Sequence, residues 1–340
     1  MPGPARDAAD AGTAPRPPHA GLRVRAIRSL LRMGHCAPTV VKTLLDAAGE
    51  EAPWLVKHAA ALPGMGNTGN ECGGITGPLV LLGLRHARDP AIGGIPAPVA
   101  LGRTLLDAFQ ADHGSVRCRD ILGDARLPLC CFGAVGEAPG RYLDVEAGAQ
   151  RAELSAERQE AHARLCAHLA ERDFHCAQAV LRCSAIPGGA RPELLDAASA
   201  FLGGTALAGM TCGAFTGGLL LLGERLGAIE DSYLRVLRQV ATMAVRGDAF
   251  ADERNAFNRA MNRGHELARW FAGHFGSTRC RELTGCDFDT AAGVGRYIEG
   301  DAVTRCGATA CEVDTQAQRI VERASIRSSV VSGPVGSIGH

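Results

Sequence analysis

The chain contains itself twice, and no other feature limits its fold as strongly. Shifted by 140 positions, His35-Cys36-Ala37 falls on His175-Cys176-Ala177, Gly64 on Gly204, Gly69 on Gly209, and Cys72-Gly73 on Cys212-Gly213. Thr76-Gly77 then meets Thr216-Gly217, and Leu81-Leu82-Gly83 meets Leu221-Leu222-Gly223, without a gap. Farther on the shift becomes 162, where "GSVRCRDILG" matches "GSTRCRELTG" and Cys118 falls on Cys280. The second copy therefore carries 22 additional residues between Gly223 and Gly276. Self-similarity at a fixed period is the mark of duplicated structural units, and 340 residues is a natural length for two domains.

Each unit reads as helical. "GLRVRAIRSLLRM", "APTVVKTLLDAAG" and "PVALGRTLLDAFQADHG" place apolar residues three and four apart. Gly49, Gly114, Gly123, Gly227 and Gly276 stand where helices would end. No stretch alternates with period two between turn residues, so no sheet is expected. The expectation is an all-α protein of two similar, cysteine-rich helical domains, residues 21–133 and 155–326. A linker is expected over 134–154, helical insertion within 224–275, and disordered tails at 1–20 and 327–340.

Charge narrows the partners. Lys plus Arg and Asp plus Glu are 36 each, so no net field draws the chain to nucleic acid or anionic lipid. The apolar runs fall short of the ~20 residues a membrane-spanning helix needs. The N-terminus carries no apolar segment of the kind a secretory signal requires. These features predict a cytoplasmic protein without membrane insertion, in which thirteen cysteines serve metal binding, redox work or packing rather than structural disulfides.

The repeat sorts those cysteines. Cys36, Cys72 and Cys118 pair with Cys176, Cys212 and Cys280. A fourth pair joins Cys130 or Cys131 to Cys306, which is nearer by spacing, or to Cys311, which would open the last helix. Cys166, Cys183 and Cys286 lack counterparts and read as small buried apolar groups. Cys72 and Cys212 each precede an apolar helix, where unpaired N–H groups and the helix dipole would favour a thiolate. Gly69, Gly73, Gly209 and Gly213 would permit close approach of a ligand or cluster. His35 and His175 are alternative ligands or helix-terminal polar residues, and Arg117, Arg119, Arg279 and Arg281 either face anionic sulfur or a solvated surface.

The second copy spells Cys212-Gly213-Ala214-Phe215-Thr216-Gly217, preceded by "FHCAQAV" and followed by "STRCRELTG". In this it resembles the C-GCAxxG-C-C family, four-cysteine proteins classed as redox-active. The first copy reads "CGGITG", with Gly74 in the alanine position. The resemblance implies helical domains with clustered cysteines and a redox or iron–sulfur role. Four thiolates suit an iron–sulfur cluster or tetrahedral zinc. The fourth cysteine follows Cys118 by only 12 or 13 residues, against 26 or 31 after Cys280, so the first site is expected to be degenerate or differently ligated.

Three functions follow. The first is electron transfer through a cysteine-ligated metal centre, iron–sulfur above all, in each half, with an unidentified redox partner protein. The second is metal-free thiol–disulfide chemistry at Cys212 or Cys72, an oxidoreductase or sensor, and the third is a structural zinc or metal-storage module. The halves would form an internal pseudo-dimer, with a homo-oligomer as a further expectation. No G-x-S-x-G, P-loop, H-E-x-x-H or C-x-x-C-H occurs, so hydrolase, NTPase, zincin and covalent-haem readings lack support.

Overall fold

The computed structural model describes residues 19–125, 127–148, 154–184, 190–228, 232–246, 250 and 259–331. The first half contains α1 (Ala20–Met33), α2 (Cys36–Ala48), α3 (Pro53–His58), the distorted turn α4 (Gly64–Asn67), α5 (Gly73–His86), α6 (Ala97–His113), α7 (Cys118–Leu122) and α8 (Cys130–Glu146). The second contains α9 (Ala156–Ala170), α10 (Cys176–Cys183), α11 (Pro192–Ala198), α12 (Gly213–Leu226), α13 (Tyr233–Arg246), α14 (Arg259–Phe275), α15 (Cys280–Thr284), α16 (Ala291–Glu299) and α17 (Ala302–Val331). Among the described residues the only extended pairing is three isolated bridges, Glu71 with Arg117, Thr211 with Arg279, and Ile92 with Ile95. The chain is all-α, as its periodicity indicates.

The two sequence shifts reappear as helix ends. Helices α5 and α12 coincide under the shift of 140, while α6 and α7 coincide with α14 and α15 under 162. The 22 additional residues therefore lie between α12 and α14, and α13 occupies part of them. Within each half the pieces stack alike. Helix α5 packs against α2, α6 and α8, and α12 against α10, α14 and α17. From the cysteine-flanking glycine through Gly83 in one copy and Gly223 in the other, every residue of α5 and α12 is buried. That explains why "GPLVLLG" and "GGLLLLG" lack a polar face: these helices are covered all round.

The halves meet reciprocally. A Cβ on Gly83 would lie 2.6 Å from the Ala197 carbonyl of α11, and a Cβ on Gly223 would overlap the His58 carbonyl at the end of α3. Under the shift of 140, α3 and α11 correspond just as the two glycines do. Each central helix thus leans on the other half's equivalent of one element, the signature of a two-fold interface within a single chain. The Arg103 guanidinium of α6 adds a bidentate pair across the junction, 3.0 Å from both carboxylate oxygens of Asp289.

Residues 134–154, expected as a linker, instead continue α8 as far as Glu146. Ala134, Val135, Tyr142 and Val145 are buried, so the helix supplies core contacts to α1, α2 and α5. Pro139 and its neighbouring glycines make this stretch resemble a loop in composition, yet Gly136 and Gly140 lie where α8 runs close to Arg23 and Ile27 of α1 and to His19, rather than at a turn. The expected C-terminal tail likewise begins inside α17, which runs to Val331. The tails at 1–18 and 332–340 lie outside the described residues. No described helix is long and apolar enough to cross a membrane.

Candidate functional site: two thiol-lined cavities

In each half the repeated cysteines stand at helix N-termini. Cys36 opens α2, Cys72 caps α5, Cys118 opens α7, and Cys130 and Cys131 open α8. Cys176 opens α10, Cys212 caps α12, Cys280 opens α15, and Cys306 lies just beyond the first turn of α17. Helix starts present unpaired N–H groups and positive dipole ends. Anionic sulfur is stabilised by several such ends at once.

Backbone pairing joins the second and third cysteines. Cys72 N–H donates to the Val116 carbonyl at 2.9 Å and Cys118 N–H to the Asn70 carbonyl at 2.7 Å. The second half repeats this with Cys212 to Thr278 at 2.8 Å and Cys280 to Met210 at 2.6 Å. Gly69 and Gly209, at φ +82 and +66, turn the approach so that their carbonyls accept from Arg119 and Arg281 N–H, each at 3.0 Å. These two glycines, expected to admit a ligand, are covered by the Arg119 and Arg281 side chains, and their role is to dock the third cysteine. Gly73 and Gly213 act differently, since a Cβ on either would collide with the Sγ of Cys36 or Cys176. Their bareness lets the first cysteine reach the second.

The second-half thiols surround one space. A cavity of about 210 Å³ is lined by Cys176, Cys212, Cys280 and Cys306, with Gly213 and Phe288 in the wall. Tyr297 hydroxyl donates to Cys306 Sγ at 3.6 Å. Cys311, the other candidate, is on the outer surface of the same helix, 3.6 Å from the Cys183 sulfur. Cys286, without a counterpart in the repeat, is buried beside the group, close enough to Cys280 and Cys306 to raise their pKa values.

The first-half cavity is larger and more apolar, about 430 Å³, and is lined by Cys36, Cys118, Cys130 and Cys131. Cys72 is not part of this lining but lies close enough to Cys118 for the two thiols to shift each other's pKa in opposite directions. Helix α13 of the second half forms part of this wall through Val236, Val240 and Met243, while Leu234 and Leu237 remain largely exposed at its rim. The two cavities therefore differ in size, in which repeated cysteines line them and in the α13 wall that only the first has.

Burial governs the thiols of the second half. It pushes Cys176 up to about 12 and Cys212 up to about 11, and raises Cys280 and Cys306 as well. At Cys212 desolvation outweighs the N–H groups of Phe215 and Ala214, opposing the lowering expected from its place at the helix start. In the first half Cys36 is likewise pushed up to about 12. Cys118 rises as donor to Cys72, and Cys72 falls because it accepts from Cys118 and from Gly74 N–H. Cys131 donates to Cys130, which raises the former and lowers the latter to about 7.

Neither flanking histidine nor flanking arginine belongs to a cavity wall. His175 caps α10, accepting from Gln178 N–H at 3.4 Å and donating from Nε2 to the Ser199 carbonyl at 3.0 Å, with its pKa lowered to about 4 by burial. His35 occupies the same capping position on α2. Arg117 pairs with Asp120 and Arg279 with Glu282, each at 3.6 Å, while Arg281 reaches Asp287 at 2.8 Å and Arg119 lies over the Phe250 ring. The arginines serve the surface around the third cysteine, not the sulfur.

Fold and site together define a duplicated helical protein with a cluster of buried and half-buried thiols in each copy. A family model described as "Putative redox-active protein (C_GCAxxG_C_C)" matches residues 34–172 and again 174–320. The chain belongs to that family, with two family domains in tandem. Neither the curated proteins nor the solved structures yield a match to it.

Proposed function

We propose that each half holds a cysteine-ligated iron–sulfur centre and that the protein transfers electrons to and from a separate redox partner. The observation carrying this reading is the convergence of four thiols on one cavity in the second half, each at or near a helix start. Cys176, Cys212, Cys280 and Cys306 would be the ligands there. In the first half Cys36, Cys72 and Cys118 would act with Cys130 or Cys131.

The donors suit the group in type, number and room. As the side chains stand, no three Cys, His, Asp or Glu groups among the described residues close on one point to grip a single ion. A lone zinc requires four sulfurs within about 2.3 Å of one centre, whereas a polynuclear cluster distributes its thiolates around several metal atoms. Sulfurs spread around a cavity wall favour the latter. When bound, such a cluster supplies one-electron transfer. The chain's own residues bury it, exclude bulk water with Phe288 and Leu202, and direct helix N-termini at its negative charge.

Anaerobic purification with iron and sulfide analysis, visible absorption and electron paramagnetic resonance tests this. Brown protein with matching iron and sulfide is expected. Colourless protein that takes up neither on anaerobic reconstitution overturns it. A metal-free thiol–disulfide reading has one feature in its favour, that Cys118 and Cys72 lie close enough to shift each other's pKa in opposite directions. Rapid alkylation of Cys72 in iron-free, active protein would select that reading, and stoichiometric zinc unaffected by reductant would select a structural metal module.

A further inference from the structure

Two cysteines stand outside both cavities and beside each other. Cys183 ends α10, Cys311 lies in the third turn of α17, both are exposed, and their sulfurs are 3.6 Å apart. Two sulfurs in van der Waals contact on packed helices need close only the gap to a bond of about 2.05 Å. The pair has no equivalent in the first copy, where Thr43 stands at the position of Cys183 and is buried. It is an addition to the second half, independent of the four repeated thiols.

The same two helices carry cavity residues. Cys176 precedes Cys183 by two turns on α10, and Cys306 precedes Cys311 on α17. A covalent tie between Cys183 and Cys311 would join the helices that supply two of the four cavity sulfurs, and would do so from the solvent side.

We propose that Cys183 and Cys311 form a surface dithiol that low-molecular-weight disulfides oxidise to an intramolecular disulfide, stapling α10 to α17. The thiolate of one cysteine attacks a sulfur of the small disulfide, forming a mixed disulfide and releasing one small thiolate. The second cysteine, as thiolate, then attacks the protein-bound sulfur, forming the Cys183–Cys311 bond and releasing the second small thiol. Two electrons pass from the pair to the small disulfide, and the two cysteine protons end on the two released thiols. Excess small thiol reverses both steps.

The inference stands apart from the cofactor reading, because the test reads only these two positions. The full chain, purified anaerobically, is equilibrated with reduced and oxidised glutathione at a series of ratios. It is then quenched in acid, alkylated differentially before and after reduction, and examined by peptide mass spectrometry. The expected result is a cross-linked peptide joining Cys183 to Cys311 and lighter by two hydrogens, with both cysteines becoming protected at the same ratio. In Cys311→Ser, Cys183 should carry glutathione instead, and in Cys183→Ser, Cys311 should. Separate glutathionylation of both cysteines in the unsubstituted chain, a different partner for either sulfur, or continued alkylation of both at the most oxidising ratio overturns the proposal.

Discussion

Glu71 and Thr211 occupy the same position in the two copies, and they are hydrogen-bonded to each other. The buried Glu71 carboxylate accepts from Thr211 N–H at 2.9 Å and from its hydroxyl at 2.5 Å, and a third bond at 3.1 Å comes from the Thr205 hydroxyl. Each residue directly precedes the motif cysteine of its half. The internal two-fold therefore passes beside both cavities, and the duplicated sequence meets itself with a carboxylate on one side and a hydroxyl on the other. A symmetric pair of glutamates would have placed two buried negative charges together; the asymmetry supplies donors for the one carboxylate.

Glu71→Ala leaves three buried donors without an acceptor and should destabilise the chain by about 3 kcal/mol. Glu71→Gln, which keeps one acceptor but turns an amide N–H₂ toward the threonine donors, should cost about 1–2 kcal/mol. Urea unfolding followed by circular dichroism measures both. Equal midpoints for the alanine variant and the unsubstituted chain would show that the junction is not held here.

Gly213→Ala places a methyl group against Cys176 Sγ and 2.5 Å from the Phe201 carbonyl. Overpacking of this kind costs about 1–3 kcal/mol, and relief by rotating Cys176 would take its sulfur out of the cavity. Lower stability together with reduced iron uptake by the second half is expected. Gly273→Ala, with open space around its Cβ position, serves as the control and should change neither.

Single substitutions should separate ligands from bystanders. Under the two-centre reading, Cys306→Ala removes about half of the bound iron by dismantling the second-half cluster while sparing the first. Cys311→Ala should leave iron content unchanged. Cys286→Ala should retain the iron, with at most a shifted spectrum or potential. An iron content that falls with Cys311 and not with Cys306 would reverse the assignment of the fourth ligand.

Asp289 supplies the acid sensitivity. Its carboxylate is shared by Arg103, by the buried His162 at 3.0 Å and by Arg158 at 3.2 Å, and these partners hold its pKa far below the usual carboxylate range against the opposing effect of burial. The unfolded carboxyl titrates near 3.9. Because the folded value is lower, its stabilisation is complete above about pH 5 and is lost as the pH falls through the folded pKa. Asp289→Asn should therefore cost about 2–3 kcal/mol at pH 7, and the difference should narrow below pH 4. Parallel unfolding midpoints across that range would refute the coupling.

The pairing of the cysteines was legible because both copies preserve it, and of the helix starts only those after Cys72 and Cys212 were read. Comparing the copies singled out Cys36, Cys72 and Cys118 with Cys176, Cys212 and Cys280, and these are the residues that backbone pairing and helix starts bring together. The comparison could not pick out Cys286. It stands near Cys280 and Cys306 because the chain turns back after α15, and a residue without a counterpart gives no repeat signal. The linker reading over 134–154 missed α8 for a related reason: glycine and proline marked a break locally, whereas burial of Tyr142 and Val145 against neighbouring helices offsets their poor propensity.

By itself the sequence determined the duplication, the helical class and three cysteines of each site, since all three depend on local periodicity and on identity between copies. Only the tertiary structure decided that Cys306 faces the cavity while Cys311 meets Cys183 outside. Those two cysteines are five residues apart on one helix, so about 500° of helical rotation separates them and they face different sides. Which side becomes the interior depends on where α10 and α12 pack against α17, and contacts between segments distant in the chain leave no mark in its local pattern.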